Sequence, residues 1–348
     1  MTQKYVQINY LCVILESGPR QPNCMKKPSP TKELRAPDDV AKDPAVSALL
    51  QRFRRQTPLR GGSLIITIFG DSLAPRGGSI ALASLIALAR PFGLTERLVR
   101  TAVARLAQDG WLASERQGRV SFYSLTGVGL ARFAEATRRI YAESPKSWNR
   151  RWTMILLPQD LGKTRERVRD ELTWLGFGQL TPGVLAHPAR ELEDTRERLR
   201  ELGVVDRVIA LEAATEDASH DQQFARAGWN LDELARGYLR FVRTFEPVRE
   251  SLSRADSLAP QTAFVVRTLL IHEYRKIHLR DPLLPATLLP QGWVGADAYA
   301  LCRELYSRVF VAAEEHLSQN ATTAQGALPP PSRSILKRFG GLQSSGQV

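Results

Sequence analysis

Between Leu94 and Gln108, apolar residues fall at Val99, Ala102, Val103 and Leu106, the i, i+3, i+4, i+7 spacing of a helix with one buried side. Thr95 predicts its N-cap, Glu96 suits the positive end of the helix dipole, and Asp109-Gly110 predicts its stop. The opposite face carries Arg97, Arg100, Thr101 and Ala104, with Arg105 on its flank. Then the period changes. Trp111-Leu112-Ala113 and Val120 to Leu125 read as two strands, joined through a basic tip at Arg116-Gln117-Gly118-Arg119. Upstream, Leu64, Ile65, Ile68 and Phe69 predict a helix over 61–72 that ends at Gly70-Asp71. Leu82, Leu85, Ile86 and Leu88 predict another over 79–90, capped by Ser79, before the turn Pro91-Phe92-Gly93. Thr126 can cap a further helix to about Tyr141. Two helices, a reading helix and a basic hairpin are the order of a winged helix-turn-helix, and small and basic residues on helix 95–108 suit a DNA groove.

A second pattern follows. Trp152 to Leu157 is an apolar strand, 160–175 a charged helix, 178–186 short extended pieces broken by Pro182-Gly183, 190–202 another charged helix, and Val204 to Leu211 a strand. That order, βαββαβ, is the ferredoxin-like split arrangement. From about 216 to 320 the chain reads helical: 231–253 with Pro247 as a kink, 261–279, and 296–316 after a proline-rich connector, Asp281 to Pro290, that cannot be helical. The expected fold class is α+β: a disordered tail over 1–45, a winged-helix domain over 46–145 that opens with a short helix at 45–55, a ferredoxin-like domain over 146–215, a helical domain over 216–320, and a disordered tail over 321–348.

Charge sharpens this division. The 348 residues carry a formal net charge of +12. Residues 51–150 hold sixteen Lys and Arg against six Asp and Glu, whereas residues 151–348 hold 25 of each. A basic module on a neutral body implies a polyanionic partner for the module. Cys12, Cys24 and Cys302 are too scattered for a disulfide framework or a metal site, no apolar run is long enough to span a membrane, and a reducing cytoplasm is the expected location.

Three stretches carry a resemblance to the PaaX-like repressors of phenylacetic acid catabolism. They are Leu94 to Leu106 with Gly110-Trp111-Leu112; Ser147-Trp148 with the strand at Trp152; and His272-Glu273-Tyr274-Arg275 through Leu279-Arg280-Asp281-Pro282-Leu283-Leu284-Pro285 and Leu288 to Trp293. The resemblance extends over about 60–315. The resemblance implies a homodimeric repressor that holds palindromic double-stranded operator DNA and releases it when an aryl-acyl-CoA thioester, typically phenylacetyl-CoA, binds. The five histidines form no metal-ligand spacing and no Ser or Cys nucleophile context is visible, so no catalytic residue, cofactor or metal is expected.

The candidate DNA contacts are therefore Arg97, Arg100, Thr101 and Arg105 on the helix, Arg116 and Arg119 at the hairpin, and Arg76 in the loop Pro75-Arg76-Gly77-Gly78. Each arginine could instead be a solvated surface charge. That loop lacks the Gly-Lys-Ser/Thr ending of an NTPase phosphate cradle. Candidate effector contacts are His272, Arg275, Arg280 and Trp293; the competing reading is structural, with an arginine paired to Asp281 and Trp293 filling a core. Two other functions compete: a metal-dependent nuclease that uses Asp160 at the end of the first ferredoxin-like strand, and a ligand sensor that acts on a protein partner.

Overall fold

The computed structural model describes residues 43–56, 61–145 and 147–342. The expected tail over 1–42 lies outside them. Within the described residues the chain divides into two compact units: residues 143–239 with 277–297 form one, and 43–142, 240–276 and 298–342 form the other. The helical stretch over 216–320 has residues in both units: 216–239 and 277–297 in one, 240–276 and 298–320 in the other.

The second of these units begins with α1 (Pro44–Arg54), capped by Asp43, whose carboxylate accepts from the amides of Ala45 and Val46. Then comes α2 (Gly61–Thr67), which widens into a π-helical turn over Ile68–Leu73. Gly70-Asp71 does not end this helix. Gly70 lies directly under the Phe133 ring, where a Cβ would come within 2.8 Å, and Asp71 turns into the interior. The expected helix over 79–90 is split: Ser79–Ala81 form β1, and α3 covers Leu82–Ala89. Ser79 is therefore not a cap; its hydroxyl accepts from Ser124 across the sheet. The reason is tertiary, because Ile80 pairs with Tyr123 and is fully buried.

The next helix, α4 (Glu96–Gln108), starts at Thr95, whose hydroxyl accepts from the Leu98 amide. The hairpin strands are β2 (Leu112–Gln117) and β3 (Val120–Leu125), in an antiparallel sheet of order β1-β3-β2. Arg116 accordingly belongs to a strand, and the turn itself is Gly118-Arg119, with Gly118 at φ +59°. α5 (Gly127–Ile140) closes the module: the Thr126 hydroxyl accepts from the Gly129 amide and donates to Gly110 O. Gly129 permits this closure, since a Cβ there would sit 2.4 Å from the Trp111 carbonyl oxygen.

In the other unit, β4 (Trp152–Leu156), α6 (Lys163–Trp174), β5 (Gly178–Thr181), β6 (Val184–His187), α7 (Leu192–Glu201) and β7 (Ile209–Ala213) form the expected βαββαβ series. The sheet order β5-β6-β4-β7 is antiparallel throughout. Val204 serves the core under α6 and α7, so the last strand begins later than its hydrophobic pattern suggests. The opposite face of the sheet packs Trp152 and Ala186 against α8 (Ala218–Gly228), the start of α9 (Leu231–Ser253), and Leu284 and Leu288 of the proline-rich connector. α9 is continuous through Pro247.

α10 (Pro260–His278) and α11 (Val294–Asn320) complete the helices. The expected tail over 321–348 is corrected for its described part. Residues 321–342 contain a small hairpin, β8 (Thr322–Thr323) with β9 (Gly326–Ala327), and a 3-10 segment, Arg333–Gly340, whose Ile335, Arg338 and Phe339 are buried. Alternating proline and polar residues hide this order, which exists only because those three side chains find partners elsewhere in the fold.

Candidate nucleic-acid interface

α4 presents two sides. Val99, Val103 and Leu106 are buried, and the helix packs on α2, α3 and β2. Arg97, Arg100, Thr101, Ala104 and Arg105 are all exposed. Arg100 forms an i, i+4 pair with Glu96, Nη2 to Oε1 at 2.7 Å and Nε to Oε1 at 2.8 Å, and both side chains stay more than half exposed. Water screens such a pair, which is worth about 0.3–0.5 kcal/mol and steers the guanidinium rather than sequestering it. Thr101 donates its hydroxyl to Arg97 O at 2.9 Å.

On the wing, Arg116 and Arg119 are exposed, and Arg116 Nε donates to Gly118 O at 3.1 Å, which stiffens the tip. The fold thus sets three arginines and a threonine of the expected set outward on α4 or its flank, and two more arginines at the hairpin: Arg97, Arg100, Thr101 and Arg105 on the helix, Arg116 and Arg119 on the wing.

Arg76 is a correction. It is 4% exposed, pairs with Glu314, and donates to Pro329 O, so it cannot reach a DNA phosphate. It belongs to a buried ionic network whose centre, Asp71, sequence reasoning passed over. The Asp71 carboxylate accepts from Arg267 Nε at 2.7 Å, Arg338 Nη1 at 2.8 Å, Tyr141 Oη at 2.6 Å and Tyr306 Oη at 2.9 Å. Glu314 is the second carboxylate, shared by Arg76 and Arg267. Burial alone would raise the Asp71 pKa; the two guanidiniums and two phenol hydroxyls outweigh it and hold the carboxyl below the usual range. Burial likewise pushes the Tyr141 hydroxyl well up, so it stays a donor. The sequence signal was a charge stranded in an apolar run: Arg267 lies within Ala263-Phe264-Val265-Val266-Arg267-Thr268-Leu269-Leu270-Ile271.

The candidate effector residues are divided between the two units. His272 and Arg275 lie in the unit with α4, at 0% and 2% exposure. Arg275 donates to the Thr67 hydroxyl and to Ser63, and His272 Nδ1 lies 3.0 Å from the Thr67 hydroxyl, so both side chains brace α2. A buried, hydrogen-bonded arginine cannot meet a CoA phosphate, and these two leave the ligand set. Arg280 and Trp293 lie in the other unit. Arg280 is about half exposed and paired with Glu233; Trp293 is partly buried, its ring 6.2 Å from that of Tyr238. Asp281 accepts from Tyr238 and from the Leu283 amide rather than from an arginine of the connector.

Asp160 is exposed, and its main-chain carbonyl accepts from Arg207. Among the described residues no group of three or more His, Cys, Asp or Glu is placed to hold a metal ion, and no helix is long and apolar enough to cross a membrane.

Three family models match along the chain: PaaX-like protein over 60–129, the PaaX protein central Cas2-like domain over 145–225, and the PaaX-like protein C-terminal domain over 229–319. The transcriptional repressor PaaX of Escherichia coli (strain K12) is 42% identical over 302 residues, which cover 85% of this chain and 95% of the relative. An uncharacterized protein from Mycobacterium tuberculosis of solved structure aligns with a TM-score of 0.43 at 25% identity, over 66% of this chain and 89% of that one. With matches across nearly all of the described residues and a full-length relative at that identity, the chain belongs to the PaaX-like family.

Proposed function

We propose that this protein is a transcriptional repressor of aromatic-acid catabolic genes of the phenylacetate type, a non-enzymatic regulator that binds double-stranded operator DNA through α4 and the wing. The observation that carries the reading is the outward set Arg97, Arg100, Arg105, Arg116 and Arg119 on a winged-helix scaffold, in a chain 42% identical to a transcriptional repressor. Guanidiniums on a groove-sized helix recognise guanine edges, and those at the wing contact phosphates. The protein acts in the cytoplasm as a homodimer whose two α4 helices meet half-sites about 34 Å, or a multiple, apart.

Release follows binding of an aryl-acyl-CoA such as phenylacetyl-CoA. Arg280 and Trp293 are the proposed contacts: a solvent-reachable guanidinium for a CoA phosphate, and an indole for an aromatic ring. A ligand shifts the DNA-bound state only by its differential affinity, and a useful switch needs about 1–3 kcal/mol of coupling.

The test is fluorescence anisotropy with the full chain and duplexes from the promoters beside its gene, across a salt series. Six to ten phosphate contacts predict ~10³–10⁵ loss in affinity between 50 and 200 mM salt. A flat salt response counts against the reading. Phenylacetyl-CoA should raise the melting midpoint and weaken DNA binding where free phenylacetate and CoA do not.

A further inference from the structure

The outward face of α4 is not made of arginines alone. At 3.6 residues per turn, Thr101 and Ala104 lie opposite the buried stripe of Val99, Val103 and Leu106, with Arg97 one turn before Thr101 on the same line. Arg100 and Arg105 lean out on either flank. Two short side chains, Thr101 and Ala104, thus lie among the three exposed arginines of α4.

The Thr101 hydroxyl hydrogen is engaged by Arg97 O at 2.9 Å, so this side chain has no free donor to offer a base. Thr101 and Ala104 are both exposed and three residues apart on the helix, so the apolar groups available there are the Thr101 γ-methyl and the Ala104 β-methyl. In the major groove the one apolar group on a base edge is the C5-methyl of thymine, and Ala and the Thr methyl are side-chain groups that pack on it. Resting on the DNA-reading function proposed above, we propose that Thr101 and Ala104 form a methyl-reading spot, so that each half-site carries a thymine whose C5-methyl is required, next to the bases reached by Arg97 and Arg100. The arginines supply most of the affinity, and Thr101 determines specificity at that one position.

The test uses duplexes selected by the full chain from a random-sequence pool. In the enriched duplex each thymidine is replaced in turn by 2′-deoxyuridine, which removes only the methyl and keeps Watson–Crick pairing. Burial of one methyl predicts about a four-fold loss of affinity at one thymine per half-site, or ~0.8 kcal/mol at 1.4 kcal/mol per tenfold. Thr101→Val keeps the methyl and loses the hydroxyl, so it should retain the uridine penalty. Thr101→Ser keeps the hydroxyl and loses the methyl, so its penalty should shrink toward one-fold, while binding to random duplex stays as in the parent. An enriched half-site without thymine, a flat uridine scan, or a full penalty in Thr101→Ser would each overturn the methyl-reading spot and leave the DNA-binding function standing. A pool that yields no enriched sequence would overturn that function, and the spot with it.

Discussion

Replacing Asp71 with Asn should be among the most damaging conservative changes in this chain. The side chain is 2% exposed and accepts from two arginines and two tyrosines. Asparagine keeps the shape but removes the charge, so Arg338 would lose its carboxylate partner and Arg267 would keep only Glu314, which also holds Arg76. Leaving buried charge uncompensated in this way costs about 3–5 kcal/mol. With a urea slope of ~2 kcal/mol per M, the midpoint of equilibrium unfolding followed by circular dichroism should fall by ~1.5–2.5 M. Arg338→Met placed on top should return part of the loss, because it removes one of the stranded charges; residues in one network couple by about 0.5–3 kcal/mol. The carboxyl also has a pH signature. Its folded pKa lies below the unfolded value, so its contribution is fully present above about pH 4 and is lost as the pH falls through the folded value. Acid unfolding below pH ~4 should therefore be steeper in the parent than in Asp71→Asn. A midpoint shift worth less than ~1 kcal/mol, with unchanged acid behaviour, would refute the claim that this network holds the unit together.

Arg100→Ala should weaken operator binding by roughly tenfold or more, at ~1–3 kcal/mol for a bidentate guanine contact, and random-duplex binding far less; equal losses in a competition assay would make it a phosphate contact. Gly129→Ala should lower the melting midpoint, because its Cβ meets the Trp111 carbonyl oxygen at 2.4 Å, and an unchanged midpoint would show that the wing closes in another way. Arg76→Gln should lower stability through the loss of its buried partner Glu314 while leaving the salt slope of DNA binding intact; a slope smaller by about one would return Arg76 to the DNA interface.

Local chemistry made much of this protein legible. Apolar spacing and the caps at Thr95 and Thr126 located α4 and α5 nearly to the residue, because these helices bury one stripe against a core and their ends are satisfied by their own neighbours. The βαββαβ series was readable for the same reason, while its last strand slipped by a few residues where Val204 was claimed by the helix-side core. The outward arginines of α4 and the wing were identifiable from charge and period together.

What failed depended on distant partners. β1 is a three-residue strand only because β3 is there to pair with it, and residues 333–340 are ordered only because Arg338 and Phe339 find a buried site. Arg76 and Arg275 look like their solvent-facing counterparts in the sequence; only the placement of Glu314, Ser63 and Thr67 decides that they are structural. The sequence by itself thus determined α4 and the charge on its outward face, since both follow from short-range periodicity and composition. The tertiary structure alone decided which arginines stay exposed, because a charge is withdrawn from solvent only when the fold delivers hydrogen-bonding partners for it from far along the chain.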